Sequence, residues 1–219
     1  MDTTKNFELL KKPKNLTLAK SIKISYMDNN DKKKRALKKY GYRLDEDLSN
    51  HNQTIGYNPT QKKLLQSTAG SHNLKDWGLD GNASILFGRL GKGYKNTTRY
   101  KEAERTLYNA REKYKDRSST VLTGHSQGGT VTSYLPMDNT TKGFALNAGF
   151  TIGQKVTNRN GKLKHYRLLG DPVSILSSGS KNQNTLYGDN ITPLDFIRKP
   201  FQSALDIHKQ NAKSAHILI

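Results

Sequence analysis

Gly124-His125-Ser126-Gln127-Gly128 holds the side chain of this sequence best placed for nucleophilic chemistry, the hydroxyl of Ser126. Thr120-Val121-Leu122-Thr123 before it reads as a short buried strand, and Thr130-Val131-Thr132-Ser133-Tyr134-Leu135 after it reads as a helix that stops before Pro136. A serine at the centre of G-x-S-x-G between strand and helix is forced into a sharp elbow, and its hydroxyl stands clear of the backbone. Glycines at both flanks carry no Cβ, so strand and helix can close around the turn. Five residues alone are weak evidence, because such a motif arises by chance in a glycine-rich chain.

A serine hydroxyl is a poor nucleophile near neutral pH, so the motif needs a base, an orienting acid and an oxyanion hole. In α/β hydrolases the partners follow in the order serine, acid, histidine. Asp171 comes directly after the strand-like Lys164-His165-Tyr166-Arg167-Leu168-Leu169 and Gly170, which would project it from the edge of the sheet that carries Ser126. Asp189 and Asp195 follow no strand and are weaker candidates. Two histidines lie beyond Asp171: His208 in a helix-like stretch, and His216 in Ala215-His216-Ile217-Leu218. Both are candidates for the base, with His216 preferred. His125 lies inside the elbow, aimed away from the serine. His51, His72 and His165 precede the acid and read as surface or loop residues. One oxyanion donor should be the backbone N–H of Gln127. The second should come from Gly70-Ser71, after the strand-like Lys63-Leu64-Leu65-Gln66-Ser67-Thr68, where Ser71 offers a backbone N–H and a hydroxyl.

The elements that must position these groups follow from the apolar spacing. Residues 1–40 read as helical and basic, with Leu16, Ala19, Ile22 and Tyr26 on one stripe and a polar break at residues 28–31. Residues 41–61 read as loop or edge strand. Ala103, Leu107, Ala110 and Tyr114 put one apolar face on a helix over 99–116. Residues 142–147 read as the next buried strand, and residues 177–192 as loop. Between Gly81 and Gly93, Ile85-Leu86-Phe87 and Leu90 form an apolar cluster that fits a plain connection or a lid. Strands alternating with helices around the elbow give an α/β class, with a central, mostly parallel sheet flanked by helices. A length of 219 residues fits one domain over 1–219.

Composition narrows the classes. There is no cysteine, which removes disulfides, thiol nucleophiles and thiolate metal sites. No metal or cofactor is expected. No leader-like apolar core follows Met1, and no apolar run is long enough to span a membrane, so an intracellular setting is expected. With 37 Lys and Arg against 18 Asp and Glu, the formal charge is +19. A solvated basic face, an anionic membrane surface and nucleic acid all fit that excess. The densest run is Lys32-Lys33-Lys34-Arg35 followed by Lys38-Lys39, with no nucleic-acid-binding signature beside it.

Together these residues resemble the class 3, fungal-type lipases of the α/β-hydrolase group, in particular the short lipase-like proteins of large DNA viruses and their satellites. Asp47-Leu48-Ser49-Asn50 with Tyr57-Asn58 is similar to the entry segment of that family. Thr68-Ala69-Gly70-Ser71 and Asp76-Trp77-Gly78-Leu79-Asp80 resemble its R-G-[ST] oxyanion loop and D-W-x-x-D segment, and Arg99-Tyr100 with Lys113-Tyr114 the helix before the elbow. Thr123 to Gly129 resembles T-G-H-S-L-G-G, Gly170-Asp171-Pro172-Val173 the acid motif, and Ala215-His216-Ile217-Leu218 the histidine motif. Two positions depart: Ala69 stands where the family carries Arg, and Gln127 where it carries Leu. The resemblance implies a metal-free carboxylic-ester hydrolase for acylglycerols or phospholipids, with Ser126, Asp171 and His216 as triad and Ser71 and Gln127 at the oxyanion hole. The contrasting expectation is an inactive hydrolase fold with a structural, membrane-binding or nucleic-acid-binding role.

Overall fold

The computed structural model describes residues 15–71, 95, 97–148, 161–168, 183–186 and 219. In chain order these form α1 (Leu18–Ser25), α2 (Asn30–Lys38), β1 (Arg43–Leu44), β2 (Gln53–Asn58), β3 (Lys63–Thr68), α3 (Thr98–Lys113), β4 (Ser119–His125), α4 (Gln127–Tyr134), β5 (Thr141–Leu146), β6 (Leu163–Leu168) and β7 (Gln183–Leu186). The seven strands make one sheet in sequence order. β1, β2 and β3 pair antiparallel, and β3 through β7 pair parallel. Parallel neighbours need crossovers, and α3 and α4 supply them between β3 and β4 and between β4 and β5. A mostly parallel sheet with helices on its faces and a strand–serine–helix elbow in its middle is an α/β-hydrolase fold.

Two layers cover the sheet. On one face α1 lays Leu18, Ala19 and Ile22 against Leu65, Val121, Phe144 and Leu146. On the other, Tyr100, Ala103 and Leu107 of α3 meet Leu122, Val131 and Leu135. The basic N-terminal region thus contains two short helices separated by the polar break, and Asn29 caps α2 by accepting from the Asp31 and Lys32 N–H groups. Part of its charge is structural. Lys33 is fully buried and donates to the Asn50 carbonyl at 2.6 Å, while Lys34 pairs with Glu46. The densest basic run therefore offers fewer open charges than its sequence implies.

Three expectations change. Residues 53–58 form a strand buried along its whole length rather than a loop or edge. Its buried Gln53 is paired: Gln66 on β3 donates to Gln53 at 2.6 Å and to the Ala103 carbonyl at 3.0 Å. β7 lies inside the stretch expected to be loop. His165 is not a surface residue but sits buried on β6, at 1% exposure.

Asp138 holds the turn that feeds β5. It accepts from the Thr140 N–H and from the Thr140 and Thr141 hydroxyls, with Arg111 beside it at 3.5 Å. Burial alone would raise its pKa, but the hydroxyl bonds from Thr141 and Thr140 and the Arg111 charge outweigh it and hold the carboxyl at about 2. A depressed carboxyl stabilises the fold above its unfolded value, and that contribution disappears as pH falls through the folded value. Urea unfolding of the wild type should therefore show stability declining from its ordinary 3.8 down to about 2. Asp138→Asn should be less stable than wild type at neutral pH, and the two should converge at the acid end.

Candidate active site

The elbow is built by backbone packing. Ser126 has φ 55° and ψ −125°, a left-handed conformation that an L residue adopts only when its surroundings hold it there. Its N–H bonds to the Leu146 carbonyl at 3.0 Å, tying the turn to β5. A Cβ on Gly124 would lie 2.2 Å from the Gly128 carbonyl oxygen, and one on Gly128 would lie 2.3 Å from that of Thr68. Both positions therefore exclude any side chain. Ser126 caps α4 without using its own side chain, so the hydroxyl is not committed to the helix it begins. The residue is nearly enclosed, at 4% exposure. As first residue of α4, Gln127 has no carbonyl four positions back within the helix to receive its N–H. The positive end of the helix dipole lies at the same point.

The loop after β3 lies against this serine. A Cβ on Gly70 would come within 2.9 Å of the Ser126 Cβ, so the loop touches this serine only because residue 70 is glycine. The Ser71 hydroxyl donates to Gln127 Oε1 at 3.2 Å. This joins the two residues assigned to the oxyanion hole.

Two side chains to which the sequence reading gave no role at the site hold the loop. Arg99, from the first turn of α3, donates to Gln127 Oε1 at 2.7 Å, to the Ala69 carbonyl at 2.5 Å and to the Gly70 carbonyl at 3.0 Å. One planar guanidinium thus locks the loop to the start of α4. Ala69 offers no side chain that could brace this loop, and Arg99 supplies the brace from α3. Tyr26, at the end of α1, accepts from the Gly70 N–H at 2.8 Å and is hydrogen-bonded to His125 Nδ1 at 2.8 Å. Its ring is partly exposed while its hydroxyl is enclosed, and burial keeps the phenol protonated by pushing its pKa up.

Ser126, Ser71 and Gln127 are therefore brought together. Asp171, His216 and His208 lie outside the described residues, as do His72, the weaker acids Asp189 and Asp195, and most of the glycine-flanked stretch 81–98. His125 is buried and faces Tyr26, which fits its expected exclusion from proton transfer. His51 is exposed. Among the described residues no cluster of His, Asp or Glu could hold a metal ion, and no helix is long and apolar enough to cross a membrane.

Removing either brace strands buried polar groups, which costs about 1–3 kcal/mol per group. Tyr26→Phe and Arg99→Met are each expected to lower the free energy of unfolding by that amount, measured by urea denaturation. Arg99→Lys should recover only part of the loss, because an ammonium cannot bridge three acceptors in one plane.

No protein-family model matches the chain, and no curated protein matches it. Among solved structures it is similar to a triacylglycerol lipase from Penicillium expansum, at 15% identity and TM-score 0.41 over 78% of this chain and 73% of that one. It is also similar to the lipase–propeptide complex of Rhizomucor miehei, at 11% identity and TM-score 0.48 over 80% and 67%. A lipase from Yarrowia lipolytica aligns at 14% identity and TM-score 0.46 over 78% and 76%. Likenesses this distant leave the function to be read from the site itself.

Proposed function

We propose that this protein is a serine carboxylic-ester hydrolase acting on lipid esters through an acyl-enzyme. The observation that carries the reading is Ser126: a strained residue between β4 and α4, its hydroxyl not used as a cap, with a braced loop packed beside it. In the reaction Ser126 Oγ attacks the ester carbonyl while His216 takes its proton. The backbone N–H groups of Gln127 and Ser71 receive the oxyanion. The alcohol leaves with the proton from His216, and water then attacks the acyl-enzyme by the same route. Asp171 orients the imidazole and stabilises its charged form. The choice of lipid esters follows the resemblance of the motifs to class 3 lipases.

One feature of the fold supports the acid. β6 runs parallel to β4 and β5, so the chain leaves Leu168 at the edge where Ser126 sits, three residues before Asp171.

A fluorophosphonate probe followed by an ester series from short to long acyl chains, with a phospholipid included, tests this. Wild type should label and turn over. Ser126→Ala should do neither. His216→Ala and Asp171→Asn should lose about three orders of magnitude or more in kcat, and His208→Ala should stay close to wild type. An inert His208→Ala beside an active His216→Ala would move the base to His208. A wild type that neither labels nor cleaves any ester would defeat the enzymatic reading and leave an inactive hydrolase fold.

A further inference from the structure

The excess positive charge gathers at a second place, far from the elbow. β3 and β4 begin with Lys63 and Ser119, and Lys142 and Lys164 are the second residues of β5 and β6. Strand register puts their side chains on one face: Lys63 opposite Ser119, Val121 opposite Lys142, and Phe144 opposite Lys164. α1 covers the far half of this face, packing on Leu65, Val121, Phe144 and Leu146. At the near half there is a cleft of about 530 Å³, lined by Lys63, Ser119, Lys142, Lys162, Lys164 and Tyr166 among others. It lies at the start of the strands whereas Ser126 follows the end of β4. Seven residues at about 3.3 Å each separate the two by roughly 20 Å.

These amines lack the partners that quiet lysines elsewhere on the chain. Every ion pair among the described residues lies at other sites, on Lys34, Arg111, Lys113, Lys115 and Arg117. Lys162 turns to Asn139, at 2.8 Å. Burial and the charge of Lys142 hold the Lys63 amine below its ordinary pKa. Burial keeps the Tyr166 phenol protonated, and so a donor, by raising its pKa. Neighbouring strands are about 4.8 Å apart, and a lysine side chain reaches about 6 Å, so Lys142 and Lys164 on adjacent strands can meet on one phosphate group, while Lys63, two strands from Lys142, can reach a second phosphate of the same anion.

We propose that this cleft is a binding site for a compact, multiply charged phosphate anion, held by Lys63, Lys142 and Lys164 with Ser119 and Tyr166 as neutral donors. Lysine recognises phosphate as a point charge and does not need a planar partner. The volume suits a headgroup or an oligophosphate. The ligand fills a gap in the charge pattern of the fold, because like charges that the register forces together are neutralised by it. A free phosphorylated solute and a phosphorylated lipid headgroup present this same chemistry.

Calorimetric titration with tripolyphosphate tests the site. Wild type should show saturable binding with a rise in melting temperature. The triple variant Lys63→Gln, Lys142→Gln, Lys164→Gln should bind at least about tenfold more weakly, since one charge-assisted hydrogen bond is worth that much. Lys32→Gln, Lys38→Gln, Lys39→Gln, on and beside α2, removes equal charge and should bind within about twofold of wild type. Fluorophosphonate labelling of Ser126 should be unchanged in both, which separates this site from the proposed ester chemistry. Should the triple variant fold poorly, Lys142→Gln alone should still weaken binding about tenfold. Inositol trisphosphate in solution and phosphatidylinositol bisphosphate in phosphatidylcholine vesicles then assign the source, and binding of either supports the site. Equal weakening by both triple variants would reduce the effect to net charge and overturn the proposal, as would the absence of saturable tripolyphosphate binding.

Discussion

The site depends on backbone meeting backbone with nothing between. Strand β4 and helix α4 approach so closely at Gly124 and Gly128 that the missing Cβ atoms set the distance, and Gly70 lets the next loop press on the serine in the same way. Close packing of this kind resists small distortions, because any relief requires moving strands of the central sheet. The left-handed backbone at Ser126 persists for that reason. It is flanked by a hydrogen bond to β5 on one side and by α4 on the other. Local strain is carried by the rigidity of the sheet.

Polar side chains complete what packing begins. Arg99 approaches the loop after β3 from α3 and Tyr26 approaches it from α1, so the loop is held from both faces of the sheet. A further chain of hydroxyls runs beneath. Thr123 donates to Ser67 at 2.8 Å, Ser67 to the Ser21 carbonyl at 3.1 Å, and Ser21 to the Leu18 carbonyl at 2.8 Å. These groups are buried, and each donor is met. Such networks favour one arrangement of helix on sheet over the sliding that an all-apolar contact would allow.

Much of this was legible in the order of residues. Lys63 to Thr68, Thr120 to His125 and Lys142 to Leu146 carry apolar side chains dense enough to mark strands, and Ala103, Leu107 and Ala110 mark α3 by their spacing. The elbow was legible because glycine and serine types there are dictated by geometry. β2 was not, because Gln53, Thr54 and Asn58 are polar and yet buried, and only pairing with β1 and β3 makes them a strand. Arg99 and Tyr26 were unreadable as braces for a different reason. Each acts on residues tens of positions away, and local spacing carries no record of such contacts. The basic run on α2 misled in the opposite sense, since adjacency in sequence concealed that Lys33 points inward.

The Tyr26 hydroxyl has a dynamic consequence. It is the last polar group of an eight-residue helix, and so short a helix owes its persistence to docking rather than to its own hydrogen bonds. Each time the end of α1 frays, Gly70 loses its acceptor and His125 its hydrogen bond to Tyr26 together. Amide exchange at Gly70 would then report the opening of a helix more than forty positions earlier in the chain. The lifetime of the assembled loop can be no longer than the lifetime of that docked turn.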